Sequence, residues 1–309
     1  MEDAKRILEE VRKVIVGKDE VLEKVLMAIL AQGHVLLEDV PGVGKTTMAV
    51  AFSRAMELSY RRLQFTPDVM PSDVTGYNMF QRAEGKSVFM PGAVMCNLFL
   101  ADEINRTSSK TQSALLEVME ENAVTVDGVT HPVPRPFLVI ATQNPVGSSG
   151  TQPLPESQID RFMARLSLGY PNRKSEIEML RRRKKAGEPI ELQRVITPEQ
   201  LVGMQKKTAA VFVCDALYEY ITGLTEWTRC QPEIRLGVSP RGSIALMEMA
   251  KACAFLRDRD YLAPEDVRSV FTDVCAHRIL PGPKARVAGF GVPELIDRAL
   301  EQVKAPACV

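Results

Sequence analysis

The sequence predicts an α/β domain with a five-stranded parallel sheet, followed by an all-helical domain. Five short β-like runs alternate with helical patterns, an arrangement typical of a parallel sheet that helices cover on both faces. After "GYPNRKSE", which begins at Gly169, the β-like runs stop and only helical periodicity continues. A chain of 309 residues also exceeds the size at which a single core usually stops growing. We therefore predict two domains, at residues 1–175 and 176–309.

Two of the five β-like runs are almost wholly apolar, as the central strands of such a sheet should be. They lie in "NLFLAD" and "FLVIAT". The helical patterns include Thr46–Met56 and Ser109–Glu121, and the pattern over residues 1–30 is broken at Gly17. The β-like runs, in chain order, are His34–Glu38, Tyr60–Phe65, Asn97–Ala101, Phe137–Thr142 and Arg165–Gly169.

Two additional hairpins interrupt the alternation of strands and helices. "MFQRAEGKSVFM" places Gly85 between two β-like arms, and "VTVDGVT" holds an Asp-Gly pair between alternating valines. Asp-Gly between such arms is a strong signal for a tight turn. Each hairpin lies between two predicted sheet strands, where a plain crossover would suffice, so we interpret both as insertions.

The amino-acid composition is that of an ordinary globular protein. The 39 basic residues equal the 39 acidic ones, so the overall charge gives no reason to expect nucleic acid or an anionic membrane as a partner. The apolar stretches are far shorter than the roughly 18–20 residues that span a bilayer, and the charged start "MEDAKRILEE" does not have the pattern of a signal peptide. Six scattered cysteines without a C-x-x-C pair indicate reduced thiols in a cytoplasmic protein.

The segment "EDVPGVGKTT" resembles the phosphate-binding pattern G-x-x-x-x-G-K-[ST], but Asp39 stands where the first glycine is usual. Gly42 and Gly44 let backbone N–H groups wrap a phosphate, Lys45 adds a charge, and the Thr46 hydroxyl can bind Mg²⁺. We expect Asp39 to shape the entry turn, with its charge directed away from the phosphates. The predicted nucleotide contacts of this loop are Pro41, Gly42, Val43, Gly44, Lys45, Thr46 and Thr47.

Polar residues follow the two apolar runs at the points where the predicted strands end. Asp102 is placed to hold a Mg²⁺ shell together with Thr46, and Glu103 to polarise a water for attack on the γ-phosphate. Asn144 in "ATQNP" ends the next strand, and its amide could hold that water. By itself, each of these features is more typical of an ordinary strand end: solvated carboxylates in one case, and an Asn-Pro turn in the other.

Two arginines complete the candidate catalytic set. Arg161 lies in "PESQIDRF", with Arg165 four residues further on, and Arg241 lies at a helix start in "VSPRGSIAL". An arginine is poorly placed against the dipole of a helix start, but its forked guanidinium suits phosphate oxygens. Taken singly, either arginine would more often be an ordinary surface residue.

Taken together, these strings resemble the MoxR family of AAA+ ATPases. The segments that support the resemblance lie between residues 14 and 242, in the family's order: "VIVGKDEVL", "LLEDVPGVGKTT", "FTPDVMPSDVTGY", "PGAVMCNLFLADEINR", "ATQNP", "LPESQIDRF" and "SPRG". The resemblance implies a P-loop αβα core with a helical lid. It also implies an ATP site between the subunits of a homo-oligomeric ring, usually a hexamer.

The resemblance assigns a role to each candidate residue. Lys45 and Thr46 match the Walker A motif, while Asp102 and Glu103 match Walker B. The remaining matches are Asn144 as sensor 1, Arg161 as the arginine finger, Arg241 as the sensor 2 arginine, and Val16 and Gly17 as the segment that packs on adenine. The two hairpins resemble the inserts that usually face substrate or the central pore in this branch of AAA+ proteins.

We therefore expect an ATP- and Mg²⁺-dependent, ring-forming, chaperone-like ATPase that remodels a partner protein or assists insertion of its metal cofactor. Family members commonly act with proteins that carry a von Willebrand factor A domain. Two alternatives stay open at this point: a nucleic-acid-stimulated motor, which the neutral charge disfavours, and a P-loop enzyme that forms no ring. The chain lacks the N-K-x-D guanine motif, which argues against a GTPase.

Overall fold

The structure is a computed structural model that describes residues 2–40, 42–82, 85–144, 152–185 and 191–307. In chain order its strands are β1 (Val35–Glu38), β2 (Tyr60–Gln64), β3 (Gly76–Gln81), β4 (Lys86–Pro91), β5 (Leu98–Asp102), β6 (Ala123–Val126), β7 (Val129–Pro132), β8 (Leu138–Gln143), β9 (Ala164–Leu166), β10 (Ile234–Leu236) and β11 (Leu280–Pro281).

The α-helices, with two short 3₁₀ turns at Ile104–Arg106 and Ala276–Arg278, account for most of the remaining described residues. In chain order they are α1 (Glu2–Arg12), α2 (Asp19–Leu30), α3 (Lys45–Ala55), α4 (Pro71–Thr75), α5 (Ser109–Glu121), α6 (Glu156–Ile159), α7 (Arg173–Lys185), α8 (Pro198–Ala209), α9 (Asp215–Cys230), α10 (Pro240–Leu256), α11 (Pro264–Cys275), α12 (Pro283–Ala288) and α13 (Val292–Gln302).

The predicted five-stranded parallel sheet is confirmed, with strand order β2-β5-β8-β1-β9. The two almost wholly apolar runs form β5 and β8 and occupy interior positions in the sheet. Alternate residues of these strands enter different hydrophobic clusters: Leu100 joins the cluster beside α2 and α3, whereas Phe99 joins the cluster beside α5. The sheet is therefore covered on both faces, which explains why its central strands carry few polar residues.

Both predicted hairpins are present, β3–β4 and β6–β7. Asp127 and Gly128 at the second turn both have positive φ, which is the geometry that an Asp-Gly turn supplies. The hairpins contact each other, because the rings of Phe89 and His131 stack at 3.8 Å and Asn78 donates a 2.8 Å hydrogen bond to Asp127. The two hairpins thus form one joined unit.

The C-terminal half is mostly helical, but the expectation of helices alone needs a correction. The short strands β10 and β11 pair there in antiparallel fashion, and a bridge joins Phe212 to Tyr261. Strands of two or three residues are too short to produce a periodic signal in the sequence. The predicted boundary at 175/176 falls inside α7, and the N-terminal helix α2 packs against α8 and α10. The division into two domains at that point remains a prediction.

Candidate nucleotide site

The loop between β1 and α3 has the backbone geometry that phosphate binding requires. Gly42 and Gly44 both have positive φ, a conformation that suits glycine. Gly44 is the residue before α3, and no side chain caps this helix. The first N–H groups of a helix have no partner within it, so these donors remain available to an anion at the helix start.

Asp39 is buried, and its carboxylate is directed toward the end of β9. It accepts hydrogen bonds from the Ser167 hydroxyl at 2.7 Å and from the backbone N–H groups of Leu168 and Gly169 at 2.6 and 2.9 Å. The backbone oxygen of Asp39 accepts a 2.9 Å hydrogen bond from Lys45 Nζ. The side chain therefore fastens the loop to the neighbouring strand, in agreement with a carboxylate directed away from the phosphate side.

A cavity of about 380 Å³ lies in front of this loop at the carboxyl edge of the sheet. The structure brings to it most of the predicted catalytic, phosphate and metal residues: Gly42, Gly44, Lys45, Thr46, Thr47, Asp102, Glu103 and Asn144. Burial lowers the pKa of Lys45, while the carboxylates of Asp39, Asp102 and Glu103 act against that shift.

Thr142 connects the two acidic residues at the end of β5. Its hydroxyl donates a 2.6 Å hydrogen bond to Asp102 and accepts one of 2.8 Å from the backbone N–H of Glu103. Glu103 itself has a φ of 56°, an uncommon conformation for a residue other than glycine. Strain of this kind is often found at functional sites, where the surrounding structure holds a side chain in one direction.

Glu103 and Asn144 lie in direct contact. The Asn144 amide donates to Glu103 at 3.2 Å, and Arg106 and Gln64 donate to the same carboxylate at 2.8 and 3.4 Å. Burial raises the pKa of Glu103, but these three hydrogen bonds outweigh burial and leave the pKa below its ordinary value. The carboxylate is therefore ionised at neutral pH and held in place by three donors.

Sequence reasoning missed two residues of this cavity, Arg62 and Gln64 of β2. Arg62 donates to Asp102 at 2.7 and 3.1 Å, and Gln64 is the register partner of Asp102 across the parallel strands. Alternation in "YRRLQ" could have indicated that Arg62 and Gln64 share one strand face. Nothing in the linear sequence indicates that β2 lies beside β5.

The donor set of the cavity suits a Mg²⁺ ion. Mg²⁺ is bound through few protein oxygens and completes its shell with water and phosphate oxygens. The Thr46 hydroxyl and the Asp102 carboxylate line the same cavity and would supply the protein ligands. Among the described residues, no cluster of three or more His, Cys, Asp or Glu side chains is arranged to hold a metal. A metal here would therefore bind together with the nucleotide.

An adjoining, more apolar cavity of about 390 Å³ shares Gly42, Gly44 and Thr47 with the first. Val16 and Val43, two of the predicted nucleotide contacts, line it together with Tyr170, Met179 and Leu180, which the sequence reasoning missed. Such a surface suits the flat, apolar faces of a nucleotide base. Pro41, the remaining predicted contact, lies outside the described residues.

Gly17 does not line this cavity, although it was predicted as an adenine contact. It has a φ of 70°, and a Cβ at this position would lie 2.0 Å from the Ser175 hydroxyl oxygen. Its lack of a side chain therefore permits close packing against the first turn of α7. Gly17 thus packs against the helix whose Met179 and Leu180 line the cavity.

The two predicted catalytic arginines lie together, and they lie away from the cavity. Arg161 donates to the Leu116 carbonyl at 3.0 Å and pairs with Glu120 at 3.0 Å, and Arg241 pairs with the other oxygen of the same Glu120 carboxylate. This shared carboxylate was not predicted. Arg241 lies beside Arg161 and is not among the residues that line the phosphate cavity. Within its own chain it therefore does not lie where a sensor of the γ-phosphate would.

The position of this arginine pair along the sheet follows from backbone contacts. Met163, two residues after Arg161, donates its N–H to His34, which directly precedes β1. The phosphate loop instead follows the other end of β1. Four strand residues span about 13 Å, so the arginines and the cavity lie at opposite edges of the sheet. Arg165, four residues after Arg161, lies in β9 and pairs with Glu38 at 3.1 Å.

The fold, the loop and the strand-end carboxylates together define a nucleotide-binding ATPase with a lid. Residues 34–164 match the model of the ATPase family associated with various cellular activities (AAA), and residues 226–298 match the AAA lid domain. The crystal structure of a candidate ATPase from Cytophaga hutchinsonii superimposes with a TM-score of 0.91 at 37% identity, covering 99% of this chain and 95% of that one.

Curated relatives extend over nearly the whole chain. An uncharacterized protein, YeaC, of Bacillus subtilis is 46% identical over 97% of this chain and 94% of its own length. Chaperone MoxR1 of Mycobacterium tuberculosis is 39% identical over 97% and 82%, and Protein MoxR of Methylorubrum extorquens is 32% identical over 98% and 95%. The chain belongs to the MoxR family of AAA+ ATPases. This membership removes the alternative of a P-loop enzyme from an unrelated family, such as a GTPase.

Proposed function

We propose that the protein is a chaperone-like ATPase that forms a homo-oligomeric ring, a hexamer, and uses ATP hydrolysis to remodel or mature a partner protein. All five cysteines in the described part of the chain are free, which supports a reducing cytoplasm as the place of action. No helix among the described residues has the length and apolar character needed to cross a bilayer.

The roles in hydrolysis follow from the carboxyl-edge cavity. Lys45 and the N–H groups at the start of α3 bind the phosphates. Thr46 and Asp102 would hold Mg²⁺, which would neutralise charge on the phosphate oxygens. Glu103 orients or deprotonates the attacking water, and Asn144 positions it. The 3.2 Å hydrogen bond from Asn144 to Glu103 supports this pairing of roles, because two side chains in direct contact can bind the same water.

One observation carries the proposal of a ring: Arg161 and Arg241 share Glu120 at the amino edge of the sheet, whereas the phosphate cavity lies at the carboxyl edge. An arginine that stabilises the charge of phosphoryl transfer must contact the γ-phosphate. Neither arginine lies in the cavity of its own chain. A neighbouring copy whose amino edge faces this cavity could supply both, so the active site is completed across a subunit boundary.

The nature of the partner rests on the resemblance and on one relative. The family commonly acts with proteins that carry a von Willebrand factor A domain, and the Mycobacterium tuberculosis relative is named a chaperone. The joined hairpins also carry two exposed aromatic side chains, Tyr77 and Phe80, with 50% and 64% of their surface accessible to solvent. Exposed aromatic residues suit contact with a polypeptide. We propose such a partner, with insertion of its metal cofactor as one outcome of the remodelling.

The subunit boundary is tested by mixing two inactive variants. Arg161→Ala should bind ATP but hydrolyse it poorly, because an arginine finger contributes on the order of 10³–10⁵ in rate, mainly in the transition state. Glu103→Gln should also be inactive. In a mixed ring, some interfaces join an intact Glu103 to an intact Arg161 of the next subunit, so ATPase activity should partly return.

The matched control is the double variant Arg161→Ala/Glu103→Gln, which should stay inactive when mixed with either single variant. If mixing the single variants restores nothing although fluorescent labels show that their subunits exchange, Arg161 serves its own subunit and the proposal is wrong. A ring is tested separately by light scattering with and without ATP. Stimulation of hydrolysis by DNA, and not by a von Willebrand factor A domain protein, would contradict the proposed partner class.

A further inference from the structure

Arg278 is buried although arginine is rarely buried without partners. Its guanidinium donates to Asp160 at 2.7 Å through Nε, and through Nη2 to the carbonyl oxygens of Asp160 and Phe162 at 2.9 and 2.7 Å. A further bond of 3.3 Å reaches the Met163 carbonyl. Arg278 therefore binds the backbone on both sides of Arg161, the proposed finger.

Asp160 receives a second bond from the C-terminal half. The Ser239 hydroxyl donates to its two carboxylate oxygens at 3.1 and 2.8 Å. Ser239 also caps α10, because its hydroxyl oxygen accepts from the Gly242 N–H at 3.1 Å. The residue directly before the finger is thus fixed to the start of the helix that carries Arg241.

The segment "SPRG" has one physical explanation as a unit. Ser239 binds Asp160, Arg241 pairs with Glu120 beside Arg161, and a Cβ on Gly242 would lie 2.7 Å from Cδ of Arg278. Gly242 therefore leaves the room through which the Arg278 side chain reaches the finger segment. Three residues of this segment are thus linked to the finger region. Ser239 contacts Asp160, Arg241 contacts the Glu120 carboxylate that also pairs with Arg161, and Gly242 makes room for Arg278.

We infer that Asp160 and Arg278 are positioning residues that join the arginine finger to the helical lid of the same subunit, so that the lid sets the arginines offered to the neighbouring subunit. The inference rests on the proposed function. Breaking a buried, hydrogen-bonded charge pair is strongly unfavourable, because one partner is left buried and uncompensated. Residues 160–162 should therefore move together with α10 and Arg278.

The test compares Arg278→Lys and Asp160→Asn with Arg235→Ala. Lysine keeps the charge of Arg278 but loses the fork, and asparagine keeps the shape of Asp160 but loses its charge. Arg235 pairs with Glu156 of α6 at 3.4 Å on the exposed surface nearby, so it is the matched control. Both positioning variants should lose about 10- to 100-fold in kcat, the loss that a catalytic group misplaced by about 1 Å causes. KM and the Kd for ATP should stay within about twofold, since these residues do not line the cavity.

Two further measurements separate positioning from mere stabilisation of the fold. Adding Asp160→Asn to Arg161→Ala should cause no additional loss of kcat, because both changes act on the same group. Mixing Asp160→Asn with Glu103→Gln should restore activity, since the defect would lie on the side that a subunit presents to its neighbour. If Arg278→Lys does not fold, Asp160→Asn decides the matter, since its side chain has nearly the same shape.

Wild-type kcat in Asp160→Asn, together with an inactive Arg161→Ala, would overturn the inference and leave the proposed function intact. A loss that is matched by weaker ATP binding would also overturn it, because it would indicate general damage to the fold. If Arg161→Ala itself hydrolyses ATP normally, the proposed finger is wrong, and that result is distinguishable from either of the others.

Discussion

The carboxylate of Asp39 accepts a 2.7 Å hydrogen bond from the hydroxyl of Ser167, a residue 128 positions further along the chain. The same carboxylate accepts hydrogen bonds from two backbone N–H groups. Asp39, the residue that departs from the usual phosphate-loop pattern, therefore anchors the end of β1 to the end of β9. The atypical residue is thus compatible with a competent nucleotide site, because its charge is satisfied outside the cavity.

Replacing Asp39 by glycine should lower stability and leave the chemistry largely intact. Asp39→Gly restores the usual pattern but leaves buried donors without an acceptor, at about 1–3 kcal/mol each. We expect the free energy of unfolding to fall by a few kcal/mol, while turnover of the folded protein stays within about threefold. Urea denaturation and ATPase assays measure the two effects. If turnover of Asp39→Gly were higher by orders of magnitude, the native loop would be impaired. Ser167→Ala, which removes one donor to Asp39, serves as the milder control.

Glu103→Gln should separate binding from hydrolysis. An amide can keep a hydrogen bond to Asn144 but cannot accept a proton from water, so turnover should fall by about 10²–10⁴. The Kd for ATP should change little. Lys45→Ala should instead weaken ATP binding, because it removes the cation that faces the phosphates. Calorimetric titration with ATP and a phosphate-release assay give the two quantities. Normal turnover in Glu103→Gln would remove this residue from the mechanism.

Arg241 should behave as a partner of Arg161, because both contact Glu120. We expect Arg241→Ala to lower kcat with little effect on the Kd for ATP, and to regain activity when mixed with Glu103→Gln. Arg194→Ala is the matched control, since Arg194 forms only an exposed pair with Glu57. A raised Kd for ATP, with no recovery on mixing, would assign Arg241 to the nucleotide of its own subunit.

His34 should make the fold sensitive to acid. Burial lowers its pKa from the ordinary 6.5 to about 4, although the bond to the Met119 carbonyl acts in the other direction. In the unfolded chain this residue is protonated below about pH 6.5, whereas in the folded chain it stays neutral down to about pH 4. Stability should fall across that window as pH decreases, by on the order of 3 kcal/mol from this residue.

The neutral replacement His34→Gln tests this pH dependence. Its side chain can still accept from the Val139 N–H and donate to Met119, but it does not titrate. Denaturation between pH 4 and 8 should give a shallower decrease than in the wild type, although His277, whose pKa burial also lowers, keeps part of the slope. Equal slopes in both proteins would exclude His34 as a source of acid sensitivity.

Much of the fold was predictable because its signals are local. An apolar run with polar residues at its end predicts a buried strand, and the runs at β5 and β8 were found to within one residue. The exceptions lie in the C-terminal half, where β10 and β11 are too short for periodicity to reveal. The fifth β-like run, Arg165–Gly169, overlaps β9 only in part, because this edge strand covers Ala164–Leu166 and is too short for its ends to be read from the sequence.

The sequence by itself determined the loop, the strand-end carboxylates and the order of the motifs, because each of these depends on neighbours within a few positions. Only the tertiary structure decided which distant groups meet. Arg161 and Arg241 are 80 positions apart, yet they share Glu120 because α5, the segment before β9 and the start of α10 converge at the amino edge of the sheet. Likewise, Arg62 reaches Asp102 through the register of β2 on β5. Such contacts depend on how whole elements pack, and packing is a property of the complete chain that no short segment encodes.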